Sequence, residues 1–341
     1  MSLEVYNDDF SDRYEISHAI SVQMSHYYND VGKLTLVTAI TAYNASALKN
    51  DRILYDTQLK IAFIIKNVKI DTKENRITAN GFTTNHILNS RVVASPVTIS
   101  NVESGVYAIV NENLRGLERV TTAPIKGITN VTSISVYGKT VLDQIMPLLS
   151  GFMLGHRMTW NHRTKEHVFE VYQGKDLTYG NHAVTFSDEQ GTARELVIDD
   201  DASKYKNVAY VVSKYNNKEI VEIVRMGKGE DREQWFEASL SAKEGETESE
   251  FRNRMRFHGE TELGKLIERQ SFSVVIDPAE LGVLYNIGDN VSCVSKRFGV
   301  KFNARISGVK YKKDANSETT EVVLGEPKLT LIGEVLLSGR H

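Results

Sequence analysis

The sequence predicts a β-rich α+β fold, and three observations support that prediction. Short runs of β-branched and aromatic residues recur along most of the chain, polar turn clusters separate them, and helical periodicity is confined to a few segments. The length of 341 residues exceeds the roughly 100–200 residues of one domain, so we expect several lobes. An apolar fraction of 41% and a charged fraction of 25% are typical of a folded globular chain rather than a disordered one.

The first segment, from Leu3 to about Val92, predicts antiparallel strands that form a small barrel or sandwich. Its runs include KLTLVTAIT and QLKIAFIIKNVKID, and polar turns at 28–32 and 71–75 separate the strands. Leu34 and Leu36 alternate only imperfectly with their neighbours, which indicates that some strands are covered on both faces.

An α+β insert is expected next. Asn101 or Ser104 is suited to cap a short helix, and a second helix is predicted over 139–154, with Pro147 causing a kink and Gly155 ending it. Strands return over 156–174, where the polar stretch from Asn161 to Glu166 predicts a hairpin turn.

A second β-rich unit follows, interrupted by a charged segment. Residues 183–212 again have strand character, whereas 228–270 are rich in charge and helix formers. Two short helices are predicted at 248–257 and 260–269, separated by Gly259, and strands resume after Gln270.

Charge and cysteine content limit the functional classes. Lys and Arg number 41 against 44 Asp and Glu, so the net charge of −3 provides no overall positive field for nucleic acid or an anionic membrane. Cys293 is the only cysteine, which excludes an intrachain disulfide and suits a reducing compartment. No signal peptide and no apolar stretch of the ~20 residues that span a bilayer are visible, so we expect neither export signal nor transmembrane segment.

The C-terminal part carries the most specific pattern. Gly288-Asp289-Asn290-Val291 is followed by Arg305-Ile306 and then by Leu324-Gly325. Earlier segments agree in order along the chain: Ser90-Arg91, then Phe186-Ser187, then Lys206-Asn207-Val208. This pattern resembles phage tail hub proteins of the siphophage tail tip and baseplate hub family, which are similar to the hub region of tail-associated lysins. The resemblance spans most of the chain.

The resemblance implies two tail-tube-like β-barrel domains with an α+β insert and a small helix-containing domain. The expected bounds are 1–92 for part of the first tube-like domain, 93–182 for the α+β insert, 183–227 and 271–326 for the second tube-like domain, 228–270 for a small charged helical excursion, and 327–341 for a C-terminal tail.

The same resemblance implies a structural protein and not an enzyme. It would form a homotrimeric hub that joins the sixfold tail tube to the threefold tip and frames the DNA-ejection channel. The implied partners are distal tail and tail-tube proteins, the tape-measure protein and receptor-binding proteins, with transient, non-specific passage of DNA and no stable membrane insertion. Its place would be the virion tail tip after synthesis in the bacterial host cytoplasm. A tail-associated peptidoglycan hydrolase and a carbohydrate-binding receptor protein are the alternatives.

A search for reactive groups predicts no catalytic residue, cofactor or metal site. Gly-x-Ser-x-Gly, His-Glu-x-x-His and Gly-x-x-x-x-Gly-Lys sequences do not occur. His156, His162 and His167 could approach one another on a hairpin as zinc ligands, but we expect exposed hairpin histidines.

Acidic clusters have two interpretations each. Asp199-Asp200-Asp201 could bind Ca²⁺, but we expect a helix cap or a solvated turn, with Asp201 or Ser203 capping. The carboxylate pairs that could serve glycoside hydrolysis are Glu166 with Glu170 and Asp188 with Glu189. The acidic run at 244–250 predicts a solvated loop and a helix N-terminus.

Aromatic and basic side chains complete the candidates. We expect core or interface roles, rather than base or sugar stacking, for Tyr6, Tyr14, Tyr27, Tyr28, Tyr43 and Tyr55. Trp160 and Trp235 either anchor contacts with neighbouring proteins or are buried in their own domains. A DNA conduit needs near-neutral or acidic walls that do not hold the polyanion. The basic side chains to be judged against this requirement are Arg115, Arg119, Lys126, Lys310, Lys312 and Lys313.

Overall fold

The computed structural model describes residues 2–7, 10–16, 19–161, 163–201, 203–226, 229–242, 244–263, 266, 269–277, 279–297, 299–325 and 328–329. Strands dominate this part of the chain, with four α-helices and one 3₁₀-helix, so the predicted β-rich fold with few helices is confirmed. The strands are β1 (Leu3–Tyr6), β2 (Arg13–Glu15), β3 (Ala19–Tyr27), β4 (Lys33–Ala39), β5 (Ile53–Asp56), β6 (Ile61–Asp71), β7 (Arg76–Thr83), β8 (Val97–Asn101), β9 (Val120–Thr122), β10 (Val131–Val136), β11 (Gly155–Asn161), β12 (Glu166–Tyr172), β13 (Thr185–Ser187), β14 (Glu195–Asp201), β15 (Val208–Tyr215), β16 (Lys218–Arg225), β17 (Glu233–Glu237), β18 (Arg269–Val275), β19 (Asn290–Ser295), β20 (Val300–Lys313), β21 (Glu318–Leu324) and β22 (Lys328–Leu329). The helices are α1 (Ala42–Ala47), α2 (Val102–Glu112), α3 (Val141–Gly151) and α4 (Glu248–Leu263), with the 3₁₀-helix at Thr84–Ser90.

The chain divides into two compact units. Unit 1 comprises Met1–Leu196 and Ser273–His341, and unit 2 comprises Val197–Phe272. The chain leaves unit 1 along β14 and returns along β18.

A large sheet forms the framework of unit 1. Its central path runs β21-β20-β3-β4-β7-β6-β5-β1-β2, with antiparallel pairing throughout. The β3–β20 pair joins strands from the two ends of the sequence, with Tyr311 opposite Met24. No strand pairing among the described residues closes this path into a barrel.

The two faces of this sheet differ because its strands alternate apolar and polar residues. One face is buried and packed with aliphatic and aromatic side chains, including Val22, Met24, Leu34, Leu36, Ile77, Ala79, Val309, Tyr311 and Val322. The residues between them face the other way and keep some or most of their surface exposed. The sheet is therefore half-buried, as expected for antiparallel strands with a single covered face.

The middle part of unit 1 combines small sheets with α2 and α3. β8 pairs with β10, and β12 lies between β11 and β9. These elements share an apolar core with the two helices, whose buried side chains include Ile99, Val106, Ile109, Ile145, Leu149 and Phe169. Asn101 caps α2 by accepting from the backbone N–H of Ser104 at 3.0 Å, as predicted.

The predicted second helix is present as α3, and Pro147 lies inside it. Gly155 is not the stop signal that we expected, because the helix ends at Gly151 and Gly155 begins β11. An extended segment after β9 is hydrogen-bonded to α2. The buried carboxylate of Glu103, on α2, accepts from the backbone N–H groups of Lys126 at 2.7 Å and Ile128 at 2.8 Å.

Unit 2 packs α4 against one face of a three-stranded sheet ordered β16-β15-β17. The shared core contains Val211, Val224, Phe251 and Met255. Thr247 and Glu250 form a reciprocal capping box, in which each backbone N–H is bonded to the other side chain, at 2.9 and 3.3 Å. The predicted loop and helix N-terminus at 244–250 are thus confirmed.

The prediction of two helices separated by Gly259 was wrong, since α4 continues through that residue to Leu263. The absence of a side chain there serves packing: a Cβ would lie 2.7 Å from Val211 Cγ2 and 2.8 Å from Val224 Cγ2. Asp199, Asp200 and Asp201 also differ from expectation, because they end strand β14 and lie in extended backbone rather than in a turn or cap.

Two further features concern the chain as a whole. None of the helices in the described ranges has the length and apolar character needed to cross a bilayer. Cys293 is buried on β19, and burial raises the pKa of its thiol to about 12.

Candidate functional site

Tyr28 lies at a joint where three segments of unit 1 meet. Its ring is buried, and its hydroxyl lies 3.0 Å from the carbonyl oxygen of Met153 and 3.2 Å from that of Tyr172. The hydroxyl also accepts from the backbone N–H of Gly174 at 3.3 Å. Burial raises the pKa of Tyr28, so the phenol stays neutral and can donate. The turn after β3 is thereby tied to both ends of the β11–β12 hairpin.

Three glycines allow the backbone to approach this joint closely. A Cβ on Gly155 would lie 2.2 Å from Tyr28 Cε2, and one on Gly288 would lie 2.4 Å from the same atom. Gly288 also has φ +100°, a conformation that side-chain-bearing residues rarely adopt. A Cβ on Gly174 would lie 1.7 Å from the carbonyl oxygen of Gly288. Each position therefore requires glycine for space.

The C-terminal pattern that pointed to tail hubs builds the other side of the joint. Asp289 is buried, and its two carboxylate oxygens accept from the backbone N–H groups of Lys175 at 2.7 Å and Asn286 at 2.8 Å. The Arg305 guanidinium donates to the carbonyl of Gly288 at 2.6 Å and lies 5.0 Å from the centre of the Tyr28 ring. Gly325 N–H donates to the carbonyl of Arg305 at 2.7 Å. The short motifs of the C-terminal pattern thus meet in one place.

The partly exposed face of the unit 1 sheet, the open face, carries a row of polar side chains across six strands. The cross-strand register places in this row Thr319, Lys312, Gln23, Thr35, Asn80 and Asn67. Neighbouring amides and hydroxyls are bonded, with Thr35 Oγ1 3.0 Å from Asn80 Oδ1. Lys312 is the one charged side chain in this row, and the other five side chains are neutral and polar.

One ion pair lies beside this row on the open face, and a second lies at the same end of the sheet on the opposite face. The Lys310 ammonium lies 3.2 Å from Glu321, and the Lys313 ammonium lies 2.7 Å from Glu318. A cleft of about 360 Å³ opens here between β3, β4, β20 and β21. Two lysines of the predicted basic cluster are therefore paired with acids of the adjacent strand.

The other basic candidates are tied into local structure. Arg115 donates to the carbonyl of Val92 at 2.8 Å and to Asn113 at 2.9 Å. Lys126 forms an ion pair with Glu170. These residues do not combine into one basic face.

The histidine prediction was wrong for the two residues that can be located. His156 is fully buried and His167 is 3% exposed, because both point from the β11–β12 hairpin into the covered face. Burial lowers the pKa of each to about 4, and the Arg119 charge contributes at His167. His162 lies outside the described residues. In the described part of the chain, no group of three or more His, Cys, Asp or Glu side chains is placed to hold a metal ion.

The candidate carboxylate pairs have structural partners. Glu166 and Glu170 are four residues apart on β12, which corresponds to roughly 13 Å along a strand and exceeds the ~5–9.5 Å spacing of glycosidase acids. Burial opposes ionisation of Glu170, but hydrogen bonds from Lys126 and Arg157 lower its pKa overall. Asp188 accepts from Ser295 at 3.3 Å.

The two tryptophans differ: one is buried in its own unit, and the other is exposed at the surface. Trp160 is buried and stacks on Phe10 with ring centres 4.4 Å apart, so it packs within its own unit. Trp235 is 53% exposed on β17, in register with Tyr210 and, one strand further, with Ile223, which is 45% exposed.

The six candidate tyrosines differ in exposure. Tyr28 and Tyr55 are buried, Tyr43 is exposed, and Tyr6, Tyr14 and Tyr27 are intermediate.

Sequence reasoning missed the role of Tyr28 and of the glycines around it. Tyr28 was considered only with five other tyrosines, and Gly155 was interpreted as a helix stop. The available signal was the pair of small residues at the two ends of the β11–β12 segment, Gly155 and Gly174, which flank strands that otherwise carry large side chains.

The fold is similar to those of solved phage and prophage tail proteins. The tail protein from Neisseria meningitidis MC58 has a TM-score of 0.60 at 12% identity, with 95% of this chain and 96% of that chain covered. The 43 kDa tail protein of prophage MuSo2 from Shewanella oneidensis has a TM-score of 0.57 at 10% identity, with 95% and 97% covered. Prophage tail protein gp18 from Listeria monocytogenes EGD-e has a TM-score of 0.53 at 14% identity, with 99% of both chains covered.

These likenesses define the class of the fold, that of phage and prophage tail proteins. The chain belongs to the family of Siphovirus ReqiPepy6 Gp37-like proteins, whose profile matches residues 2–326. The predicted kinship with phage tail proteins is thus confirmed, and a structural role in a phage or prophage tail follows from it. No significant match was found among curated proteins.

Proposed function

We propose that the protein is a trimeric hub of a phage or prophage tail tip. It joins the sixfold tail tube to the threefold tip and frames the channel through which DNA is ejected. Family membership and the tail-protein fold support this proposal. The protein acts by assembly, with no catalytic residue, cofactor or metal of its own.

The open face of the unit 1 sheet is the observation that carries the proposal. A channel wall must let a polyanion slide without holding it, which requires polar groups and little net charge. The row from Thr319 to Asn67 supplies amides and hydroxyls across six strands. Beside the row on the same face, Lys310 is paired with Glu321, so this lysine adds no net charge to the open face.

The proposed domain plan retains the bounds expected from the resemblance. Residues 1–92 supply part of one tube-like β-barrel domain, and 183–227 with 271–326 supply the second. The α+β insert spans 93–182, the charged helical excursion 228–270 and the tail 327–341. Three copies of the two tube-like domains then give a ring of six similar positions that matches the tube.

The proposed partners follow from the position at the tip. Distal tail or tail-tube proteins stack on one side of the ring, and the tape-measure protein and receptor-binding proteins contact the hub. DNA passes transiently and without sequence preference, and the hub is synthesised in the host cytoplasm before it enters the virion.

The molar mass of the purified protein tests the trimer. Light scattering over a range of concentrations should give 3 × 38.3 = 114.9 kDa. Negative-stain electron microscopy should show rings at the same concentrations. A species that stays at 38.3 kDa throughout would contradict the trimeric hub.

Carbohydrate binding is a second candidate function, favoured by the exposed aromatic row of unit 2. Trp235 and Tyr210 lie side by side on adjacent strands, where planar rings can stack against sugars. A glycan array should then show saturable binding that Trp235→Ala abolishes and Tyr179→Ala, at another exposed aromatic residue, leaves unchanged. If the Trp235→Ala and Tyr179→Ala variants bind the glycan equally well, a role of Trp235 in carbohydrate binding is contradicted.

A further inference from the structure

Unit 2 exposes aromatic and aliphatic side chains on the face of its sheet that lies opposite α4. The helix packs on the other face, against Val211 and Val224. Because side chains alternate along a strand, Trp235, Tyr210 and Ile223 lie in one row across the three strands of the exposed face. Trp235 and Ile223 each keep about half of their surface exposed. We call this surface the aromatic face.

Two carboxylates border the aromatic face at Trp235. Glu233 and Glu237 lie two residues to either side of the tryptophan on β17, so they point to the same face, and both are exposed. Glu233 accepts a hydrogen bond from the Tyr210 hydroxyl at 3.0 Å. In the described part of the chain, neither carboxylate forms an ion pair with a lysine or an arginine. Both therefore present negative charge to solvent beside the Trp235 ring.

The cations of the aromatic face have acidic partners or neighbours of their own. Arg225 is paired with Asp231 at 3.1 Å. Lys214 lies at the far end of the face, directly opposite Glu219 in the β15–β16 register. The face and its rim thus carry four carboxylates and two cations, and the excess of negative charge lies at Trp235.

Other arginines of unit 2 are engaged away from this face. The Arg232 guanidinium lies over the Tyr205 ring, 5.4 Å from its centre. Arg252 and Arg256, on α4, both pair with Glu222, which alternation along β16 places on the side of the helix. These cations leave the charge beside Trp235 unbalanced.

The size of the aromatic face favours a small ligand over a protein. Strand and residue spacings give it a width of roughly 10 Å across the three strands and a length of roughly 13 Å from Glu233 to Glu237. A specific protein interface needs about 800 Å² from each partner, and this patch supplies only a small part of that area. A short run of sugar rings has the size to cover it, with the C–H face of a ring stacked on the indole.

We infer that the aromatic face binds a glycan whose sugar units carry free amino groups, with a sugar ring on Trp235 and an ammonium group beside Glu237. This inference rests on the carbohydrate-binding role proposed above. An ammonium group is attracted both to the face of an indole ring and to a carboxylate, so the two features of this surface favour the same ligand. A neutral glycan would gain only from the ring, and an acidic one would be repelled by the carboxylates.

Two matched oligosaccharides test the class of ligand. The hexamers of glucosamine and of N-acetylglucosamine share one backbone, but only the first carries free amines. Calorimetric titration at pH 6, below the usual pKa of an amine, should give a Kd about tenfold lower for the glucosamine hexamer, since each exposed charge pair contributes about 2–5-fold. The difference between the two hexamers should shrink in about 0.5 M salt because salt screens exposed charges.

Substitutions separate the contribution of the ring from that of the charge. Glu237→Gln should weaken binding of the glucosamine hexamer by about 2–5-fold and leave binding of the acetylated hexamer unchanged. Trp235→Ala should abolish binding of both hexamers. Glu260→Gln, at an exposed carboxylate on α4, is the matched control and should change neither. Circular dichroism should show that every variant remains folded.

The outcomes distinguish the ligand class from carbohydrate binding itself. If both hexamers bind equally and both depend on Trp235, carbohydrate binding stands and the preference for amines is overturned. If the glucosamine hexamer binds the Trp235→Ala variant as well as the parent protein, it is held only by general attraction to an acidic protein, which also overturns the inference. If no glycan of an array binds, the carbohydrate-binding role fails, and the inference fails with it.

A basic peptide provides the last comparison. A hexalysine peptide should bind the aromatic face more weakly than the glucosamine hexamer, because its flexible chains offer no planar ring to stack on Trp235. Tighter binding of hexalysine, with the same dependence on Trp235 and Glu237, would assign the face to a basic protein segment and overturn the inference.

Discussion

Tyr28 shows how one side chain organises unit 1. Its hydroxyl meets backbone groups at both ends of the β11–β12 hairpin, and its ring is enclosed by Gly155, Gly288 and Arg305. A buried hydroxyl without partners costs about 1–3 kcal/mol, so these contacts fix the position of the ring as well as stabilise it. The residues that surround Tyr28 must be small because its backbone neighbours are so close.

Gly155→Ala should destabilise unit 1 by about 1–3 kcal/mol, the typical cost of overpacking. The added methyl group would lie 2.2 Å from the Tyr28 ring, and neighbouring backbone limits the movement of that ring. The free energy of unfolding, measured in urea by circular dichroism, provides the test.

Gly151→Ala is the matched control for this substitution. Gly151 ends α3 and has nothing within 4 Å of an added Cβ, so alanine should stabilise the chain by about 0.5–1 kcal/mol. If Gly155→Ala and Gly151→Ala change the free energy of unfolding equally, the close approach of the backbone to Tyr28 does not affect stability.

Part of this joint is predictable from the sequence. Gly288, Asp289 and Arg305 belong to the pattern that pointed to tail hubs, and all three meet there. Tyr28 was not predictable, because it lies far away in sequence and no local periodicity connects it with them. The burial of His156 and His167 was missed for a related reason, since a hairpin sequence does not show which face the rest of the chain covers.

At the scale of elements, the β11–β12 hairpin carries two buried neutral histidines. Burial lowers the pKa of His156 and of His167 to about 4, with the Arg119 charge contributing at His167, against roughly 6.5 in an unfolded chain. Between these values the unfolded chain binds more protons than the folded one. The free energy of unfolding is therefore not reduced by these histidines above about pH 6.5, and it decreases as the pH falls from there towards 4.

The free energy of unfolding should accordingly fall with pH in this window. Each histidine contributes up to about 1.4 kcal/mol per pH unit. Urea unfolding between pH 4.5 and 7.5 should show this slope, and His156→Gln should reduce it. His182→Gln, at an exposed histidine, should not change the profile, and identical profiles for both variants would contradict the assignment.

Helix α4 makes a second test at this scale. Alanine favours a helix over glycine by about 1 kcal/mol, yet Gly259→Ala should loosen unit 2, because the new Cβ would lie within 2.8 Å of Val211 and Val224. Hydrogen–deuterium exchange should accelerate in the peptides that cover β15 and β16. Unchanged or slower exchange in these peptides would show that the sheet shifts to accommodate the added methyl group without loss of stability.

Helix positions were largely predictable from the sequence, and one boundary was not. Asn101 before a stripe of apolar residues predicted α2, and the helical spacing of Val141, Ile145 and Leu149 predicted α3. Gly259 was misjudged as a break because its reason is tertiary: it gives room to the valines of the facing sheet. Local propensity carries no information about that contact.

For the whole molecule, the pairing of β3 with β20 brings both ends of the sequence into one sheet. Alternation within each strand predicts that one face is buried, but only the pairing order assembles the polar rows of β3, β4, β7, β20 and β21 into a continuous surface. The polar open face is therefore built from residues that are far apart in the sequence.

Removing the acids that pair with lysines at this end of the sheet should create affinity for DNA. Glu321→Gln would leave Lys310 on the open face without its carboxylate, and Glu318→Gln would do the same for Lys313 on the opposite face of the adjacent strand end. Fluorescence anisotropy with labelled duplex DNA at 0.15 M salt should show saturable, salt-sensitive binding, with the salt slope steeper by about 1–2 than in the parent protein.

The control for this test removes the same charge elsewhere. Glu74→Gln with Glu112→Gln, at two exposed positions, should leave DNA binding near the parent level. Equal gains in DNA binding from both pairs of substitutions would show that net charge alone, and not the position of these acids beside Lys310 and Lys313, decides the affinity.

Burial of Cys293 has a practical consequence. The residue is 1% exposed, and burial raises the pKa of its thiol to about 12, which keeps the thiol almost entirely protonated at neutral pH. Maleimide reagents, which attack the thiolate, should therefore react with it very slowly. A cysteine introduced at a chosen surface position then becomes the only site that takes a dye or a spin label. Distances between the copies of the proposed trimer can then be measured on the native chain without first removing a residue from its core.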